Sequence, residues 1–343
     1  MLRLVAEVVA VHTRHPFVIA RGGSSEWRTV TVRLIDADGT EGWGEAAPSR
    51  FYGESAETVL AVLERFRPIV EAADPWAIEA TERELASAMR GNAAARMAIS
   101  AALHDLHGKR LGAPLWKLWG LSPAASPRSS FTIGIAPDDA TLRERVREAV
   151  QAGYPILKVK LGSDRDERIV DLVRAEAPAA ILRVDANAAW TPKRALAMIP
   201  VLQAAGVEFV EQPLPPHDLD GTRFVRERSA LPIVVDESCV VATDVARLAG
   251  VADGVNLKLA KCGSLTEARR IIHTARAHDM LVMAGCMIET SLGITAAAHL
   301  APLLDAVDLD GAALLRDDPY VGATIARGEV VLPTAPGLGV TRR

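Results

Sequence analysis

At 343 residues, with 49% apolar residues, 24% charged residues and a formal net charge of −4, the chain has the composition of a soluble globular protein of about two domains with a sizeable core. No apolar run reaches membrane-span length, the opening MLRLVAEVVAVHTRHPF carries Arg, Glu and His among its apolar residues and so is no secretory signal, and the slightly acidic balance without a basic stripe argues against nucleic acid as partner. The expected setting is the cytoplasm, and Cys239, Cys262 and Cys286, at no metal-ligand spacing, are expected as small buried residues rather than a disulfide framework.

Residues 1–120 read as an α+β unit. VTVRLIDADGTEGWGEA (30–46) is a hairpin signal with Asp38-Gly39 at the turn, and 76–112 reads as helices broken at Gly91-Asn92. GWGEAA (42–47) fits a dinucleotide fingerprint by letter, but Pro48 interrupts and no helical pattern opens at its second glycine, so it is rejected. The Pro- and Ser-rich GLSPAASPRSS (120–130) marks a junction.

Beyond it, eight β-rich runs alternate with helical stretches: FTIGI (131–135), ILKVKL (156–161), ILRVD (181–185), VEFVE (207–211), PIVVDE (232–237), GVNLK (254–258), LVMAG (281–285) and AVDLD (306–310). Their ends at Lys160, Asp185, Glu211, Asp236, Lys258, Gly285 and Asp310 are spaced by 25, 26, 25, 22, 27 and 25 residues. DDATLRERVREAVQAG (138–153) and SLTEARRIIHTARAHD (264–279) supply helices between them. Eight even units predict a (β/α)8-type barrel over 121–319, an α/β fold, in preference to an open doubly wound sheet.

In such barrels the C-terminal strand ends carry chemistry. Asp185, Glu211 and Asp236 end three consecutive strands. An isolated acid after a strand often caps the next helix, but three converging carboxylates repel unless a cation lies between them. All-oxygen ligation suits Mg2+, with Mn2+ as the alternative and zinc disfavoured. Lys160 and Lys258 end the second and sixth strands, four steps apart in a ring of eight, and so face each other across the mouth. A carboxylate held on the metal between them would present opposite faces of its α-carbon to two amines, with the metal and the second lysine favouring a neutral base. Lys158 shares the face of Lys160 one layer deeper and is expected to neutralise the bound carboxylate.

The motifs KVK (158–160), DAN (185–187), EQP (211–213), DES (236–238) and NLKLAKCGS (256–264) together resemble the enolase superfamily, and within it the muconate-lactonizing subgroup. The superfamily is known for lysine bases working with Mg2+, so that pairing comes with the resemblance. The resemblance implies an α+β capping domain over 1–120, completed by a C-terminal tail (320–343). It implies Mg2+ on the three acids, α-proton exchange by Lys160 and Lys258 through an enediolate, and a supporting role for Asn187. GCMIETSLG (285–293) and VDLDG (307–311) are similar to the dipeptide epimerases, the L-Ala-D/L-Glu kind among them. That likeness assigns Asp308 and Asp310 to the substrate's free α-ammonium, lines the pocket with Thr132, Cys286 and Ile288, and leaves Glu289 between a hydrogen bond and structure.

The implied activity is an isomerase inverting the C-terminal residue of a dipeptide by 1,1-proton transfer. N-acylamino acid racemisation, o-succinylbenzoate synthesis and muconate cycloisomerisation are the alternatives. Two capping loops, RGGSSEW (21–27) and SRFYGES (49–55), are expected over the mouth, with Arg21, Phe51 and Tyr52 as candidates for specificity. The expected partner is a small molecule, not a membrane, and a homo-oligomer stays open.

Overall fold

A computed structural model describes residues 2–343. The chain opens with an antiparallel meander of β1 (Arg3–Ile19), β2 (Gly22–Ile35) and β3 (Glu41–Ala46). Val30, Val32 and Leu34 alternate along β2 and bury one face of the sheet against α1 (Ala56–Ala72), α2 (Ile78–Ala88) and α3 (Ala93–Arg110). The break between α2 and α3 falls where expected, with Gly91 and Asn92 both left-handed. β3 and α3 approach closely because both faces are small: a Cβ on Gly44 would lie 2.0 Å from the Ala98 carbonyl oxygen. Residues 21–27, expected as a loop, are instead mostly strand. β2 starts at Gly22 and pairs with β1 back to Ile19, so the first capping segment is the tip of a long hairpin, with a register shift between His12 and Phe17.

The short α4 (Leu115–Leu118) leads into the junction, where a single 3-10 turn at Pro123–Ala125 precedes the barrel. The following elements run β4 (Phe131–Ile133), α5 (Asp139–Gln151), β5 (Ile156–Lys160), α6 (Asp166–Glu176), β6 (Ile181–Asp185), α7 (Pro192–Ala204), β7 (Val207–Glu211) and α8 (Leu219–Arg226). They continue as β8 (Ile233–Val235), α9 (Ala242–Leu248), β9 (Gly254–Leu257), α10 (Leu259–Cys262), α11 (Leu265–Ala277), β10 (Leu281–Gly285), α12 (Ser291–Ala298) and β11 (Ala306–Asp308). Among the described residues, β4 to β11 pair in sequence order as eight parallel strands. The ring meets itself where Ser130 N–H donates to the Val307 carbonyl at 3.0 Å.

Strand alternation sorts the interior into layers. Phe209, Val234, Met283 and Ala306 form an apolar plug, and the residues two positions further on, Glu211, Asp236, Gly285 and Asp308, stand above it. Register then aligns the strand ends: Lys160 lies opposite Asp185, and Asp185 opposite Glu211.

The tail forms β12 (Tyr320–Val321), β13 (Thr324–Ala326), β14 (Glu329–Val331) and β15 (Thr341–Arg342). It touches both parts of the molecule. The Tyr320 hydroxyl bonds Thr31 of β2 at 2.8 Å, while Ala323 N–H donates to Thr295 of α12 and Ser129 N–H to the Gly328 carbonyl. One apolar cluster joins Met97 and Ala101 of α3, Val255 and Leu257 of β9, and Tyr320 and Leu338 of the tail. Among the described residues no helix is long and apolar enough to cross a membrane.

Candidate active site

Asp185, Glu211 and Asp236 each offer a carboxylate oxygen within 4.8 Å of the others, and all three are buried. The backbone holds them by unusual conformations just past the strand ends. Asn187, Ala188 and Gln212 have φ of 46°, 64° and 34°, positions that cost non-glycine residues strain and that cluster at functional sites. From there Asn187 N–H donates to Asp185 at 2.8 Å, and the Gln212 side-chain oxygen accepts from Asp236 N–H at 2.8 Å. Glu211 accepts from Asn256 at 2.8 Å. The donor set is entirely oxygen and anionic, which fits a hard divalent cation.

Four ammonium groups stand against these carboxylates. Lys160 lies 2.6 Å from Asp185, Lys258 2.7 Å from Asp236, and Lys261 2.5 Å from the other oxygen of Asp236. Lys158 is shared between Glu211 (2.8 Å), Asp308 (2.9 Å) and Asp185 (3.4 Å). Burial opposes ionisation of Asp185 and Asp236, but their lysines outweigh it and hold both well below the usual carboxylate range. Glu211 has only a share of Lys158, and burial followed by the neighbouring Asp185 pushes it up to about 7. Burial would also lower Lys258, yet Asp236 outweighs it and keeps the ammonium favoured.

Lys158, one layer deeper than Lys160, is 1% exposed and does not line the cavity, and Glu211, Asp308 and Asp185 surround its ammonium. Lys160 and Lys258 do line a common cavity of about 640 Å3, together with Asp236, Thr132, Cys286, Ile288, Asp308 and Asp310. Gly285 leaves room for Lys258, whose Cε would lie 3.0 Å from a Cβ placed there.

At the end of β11 Asp310 accepts from Thr132 N–H at 2.6 Å, and Asp308 accepts from Ser130 at 2.8 Å. Asp308 has Lys158 and is held below its ordinary value against the effect of burial. Burial, then the charge of Asp308, pushes Asp310 up to about 7. Two carboxylates thus lack a full complement of cations, Glu211 in the acid triplet and Asp310 past the end of β11. Among the histidines, none lines this cavity.

The capping unit closes the top. Arg21 points down, 2.7 Å from Glu237 and 2.7 Å from the Asn187 carbonyl, with Phe51 over its guanidinium. Tyr52 lines the same wall, its hydroxyl proton retained by burial and by Asp236 and Glu237. Sequence reasoning passed over Lys261, Asn256 and Glu237. The first two had a signal, since Asn256 shares the strand face of Lys258 and Lys261 interrupts an apolar helical turn. A groove of about 770 Å3 between α2, α3 and α11, lined by Trp76, His104, Trp119 and Arg269, contains none of these lysines or strand-end acids.

The chain matches the family description "Mandelate racemase / muconate lactonizing enzyme, N-terminal domain" over residues 3–120 and "Enolase C-terminal domain-like" over 141–343. It is 38% identical to an L-Ala-D/L-Glu epimerase of Bacteroides thetaiotaomicron, over 96% of this chain and 85% of that protein. It is also 38% identical to a hydrophobic dipeptide epimerase of Roseobacter litoralis, over 98% of each. Among solved structures, a dipeptide epimerase from Cytophaga hutchinsonii complexed with Mg and D-Ala-L-Val superposes with a TM-score of 0.95 at 27% identity, over 100% of this chain and 96% of that one. The Enterococcus faecalis dipeptide epimerase complexed with Mg and L-Leu-L-Tyr gives 0.94 at 31% identity, over 99% of both.

Proposed function

The chain belongs to the mandelate racemase and muconate lactonizing enzyme family of the enolase superfamily and is an isomerase, and we propose that it is a dipeptide epimerase acting on the α-carbon of the C-terminal residue. The observation that carries this is one cavity whose wall brings together Asp236 of the acid triplet, the lysine pair Lys160 and Lys258, and the carboxylates Asp308 and Asp310. Such a cavity fits a molecule with a carboxylate at one end and an ammonium at the other, about one peptide unit apart. Relatives of equal identity are named for acidic and for hydrophobic dipeptides, so their names leave the side chain open.

Asp185, Glu211 and Asp236 are the residues that would hold a divalent cation, Mg2+ with Mn2+ as an alternative, in keeping with the Mg complexes of similar structures. A cation held there would supply positive charge against the substrate carboxylate as the α-proton leaves. The chain's own groups do the rest. One of Lys160 and Lys258 takes the α-proton while the other delivers a proton to the opposite face, and inversion follows from their standing four strands apart in the ring. Asp310 and Asp308, braced by Thr132 and Ser130, fix the amino end and so orient the α-carbon between the amines. Lys158, paired under Glu211 and Asp308, keeps these carboxylates together in a buried layer.

Incubating an L,L-dipeptide library with the Mg2+-supplemented enzyme in D2O tests the reading. Deuterium should enter at the C-terminal α-carbon of a free-amine dipeptide; no exchange in any member would refute it.

A further inference from the structure

The dipeptide reading, on which this inference rests, leaves open the side chain borne by the inverted carbon. That carbon has four substituents, and the cavity assigns a direction to three. Its carboxylate belongs with Asp185, Glu211 and Asp236, its hydrogen with a lysine, and its amide nitrogen with the Asp308 and Asp310 end. The side chain takes the remaining wall, which includes Arg21, Phe51, Tyr52 and Glu237.

Arg21 decides the character of that wall. An inward guanidinium would ordinarily select a carboxylate, but this one is already occupied. Its Nη2 lies 2.7 Å from Glu237 Oε1, its Nη1 donates to the Asn187 carbonyl at 2.7 Å, and Phe51 covers it at 4.4 Å from the ring centroid. The Glu237 side chain is only 2% exposed, and its Oε2 is buried without a hydrogen-bond partner. A substrate carboxylate that claimed Arg21 would take from buried Glu237 its direct ion-pair partner and leave it beside Asp236, which already holds Lys258, and that is the costly direction for a buried carboxylate. A substrate ammonium would be brought against Arg21 itself. The other cations of the wall lie at its rim, where Arg28 pairs with Glu57 and Arg50 is exposed and screened by water. What remains is the aromatic surface of Phe51 and Tyr52, rings 5.0 Å apart and edge to face.

We infer that the subsite takes an uncharged apolar or aromatic side chain, and that Arg21 is a neutralised tie between cap and barrel rather than a receptor for a substrate carboxylate.

The test is a comparison of kcat/KM for L-Ala-L-Leu, L-Ala-L-Phe, L-Ala-L-Glu and L-Ala-L-Lys, with Mg2+ present. The apolar pair should exceed the charged pair by about tenfold or more. Glu237→Gln frees Arg21 and should move the Leu-to-Glu ratio toward Glu by about tenfold, whereas the double variant Arg21→Met/Glu237→Met should hold that ratio within about threefold of wild type. Ratios within one variant are insensitive to a general loss of activity, and the wild-type panel decides even if a variant fails to fold. Preference for L-Ala-L-Glu in the wild type, or selective loss of Glu turnover in the double variant, overturns the inference and leaves the epimerase reading standing. Inactivity toward every dipeptide brings down that reading and this inference together.

Discussion

Lys258 and Asp310 are the residues whose chemistry is most exposed to test. Removing one amine of a two-base pair does not silence the other: Lys258→Ala should lower epimerisation by about 10²–10⁴-fold, while α-hydrogen exchange continues from the face that Lys160 serves. Proton NMR in D2O, run separately on the L,L and L,D dipeptides, distinguishes this from general inactivation, because only one epimer should exchange. Asp310 adds a pH signature. Its carboxyl is pushed up to about 7, so it is neutral below that value and acquires the charge that an α-ammonium needs only above it. For free-amine dipeptides kcat/KM should rise through a limb centred near pH 7, and Asp310→Asn should remove that limb at a cost of about tenfold or more. An N-acylated substrate has no ammonium and should show neither effect. Much of this layer was legible in the sequence, since strand ends follow from period-two alternation and a 25-residue repeat. Partners were not: Lys158 pairs with Asp308 across 150 positions, and nothing local announces that contact.

Among the elements, the packing of β3 on α3 depends on small residues on both sides. Gly42 and Gly44 each leave no room for a Cβ, which would meet the carbonyl oxygens of Ala102 and Ala98 at 2.0 Å. Gly44→Ala must push the strand off the helix, and urea unfolding should show a loss of about 1–3 kcal/mol or more with little change in m. The barrel strands were readable because each is a short apolar run bounded by turn residues. β1 was not, since its outward positions Glu7, His12 and Arg14 dilute the alternation, and its pairing with β2 through 21–27 is a matter of register. α1 has a capping box at Ser55 and Thr58 that supplies a start signal, though its Pro68 blurs the helical pattern that follows.

Across the whole molecule, cap and barrel meet at two buried acids. Glu45 of β3 accepts from Thr290 N–H at 3.1 Å and Gly293 N–H at 2.9 Å, so a capping-unit carboxylate sits on the first turn of a barrel helix, α12. Glu289 lies beside it, pushed up to about 8 by burial and then by Glu45. A carboxyl raised in the folded state holds its proton there while the unfolded chain has released it. Stability from this group is therefore full below about pH 4.5 and is lost as pH rises through about 8. Glu289→Gln keeps the shape and removes the titration, so relative to the wild type the variant should gain several degrees in thermal unfolding between pH 4.5 and pH 9, with part of that gain already present at pH 6.

Composition, the strand repeat and the order of Lys, Asp, Glu, Asp and Lys were enough to call for a barrel, a separate α+β unit and an acid triplet, because each is a local pattern read along one chain direction, and the capping role of that unit came with the resemblance. The direction of Arg21, the sharing of Lys158 between Glu211 and Asp308, the hold of Lys261 on Asp236 and the meeting of Glu45 with α12 were decided by tertiary structure. Each joins residues from different strands or from both parts of the molecule, and an ion pair between distant positions is a statement about distance in space that spacing along a chain does not contain.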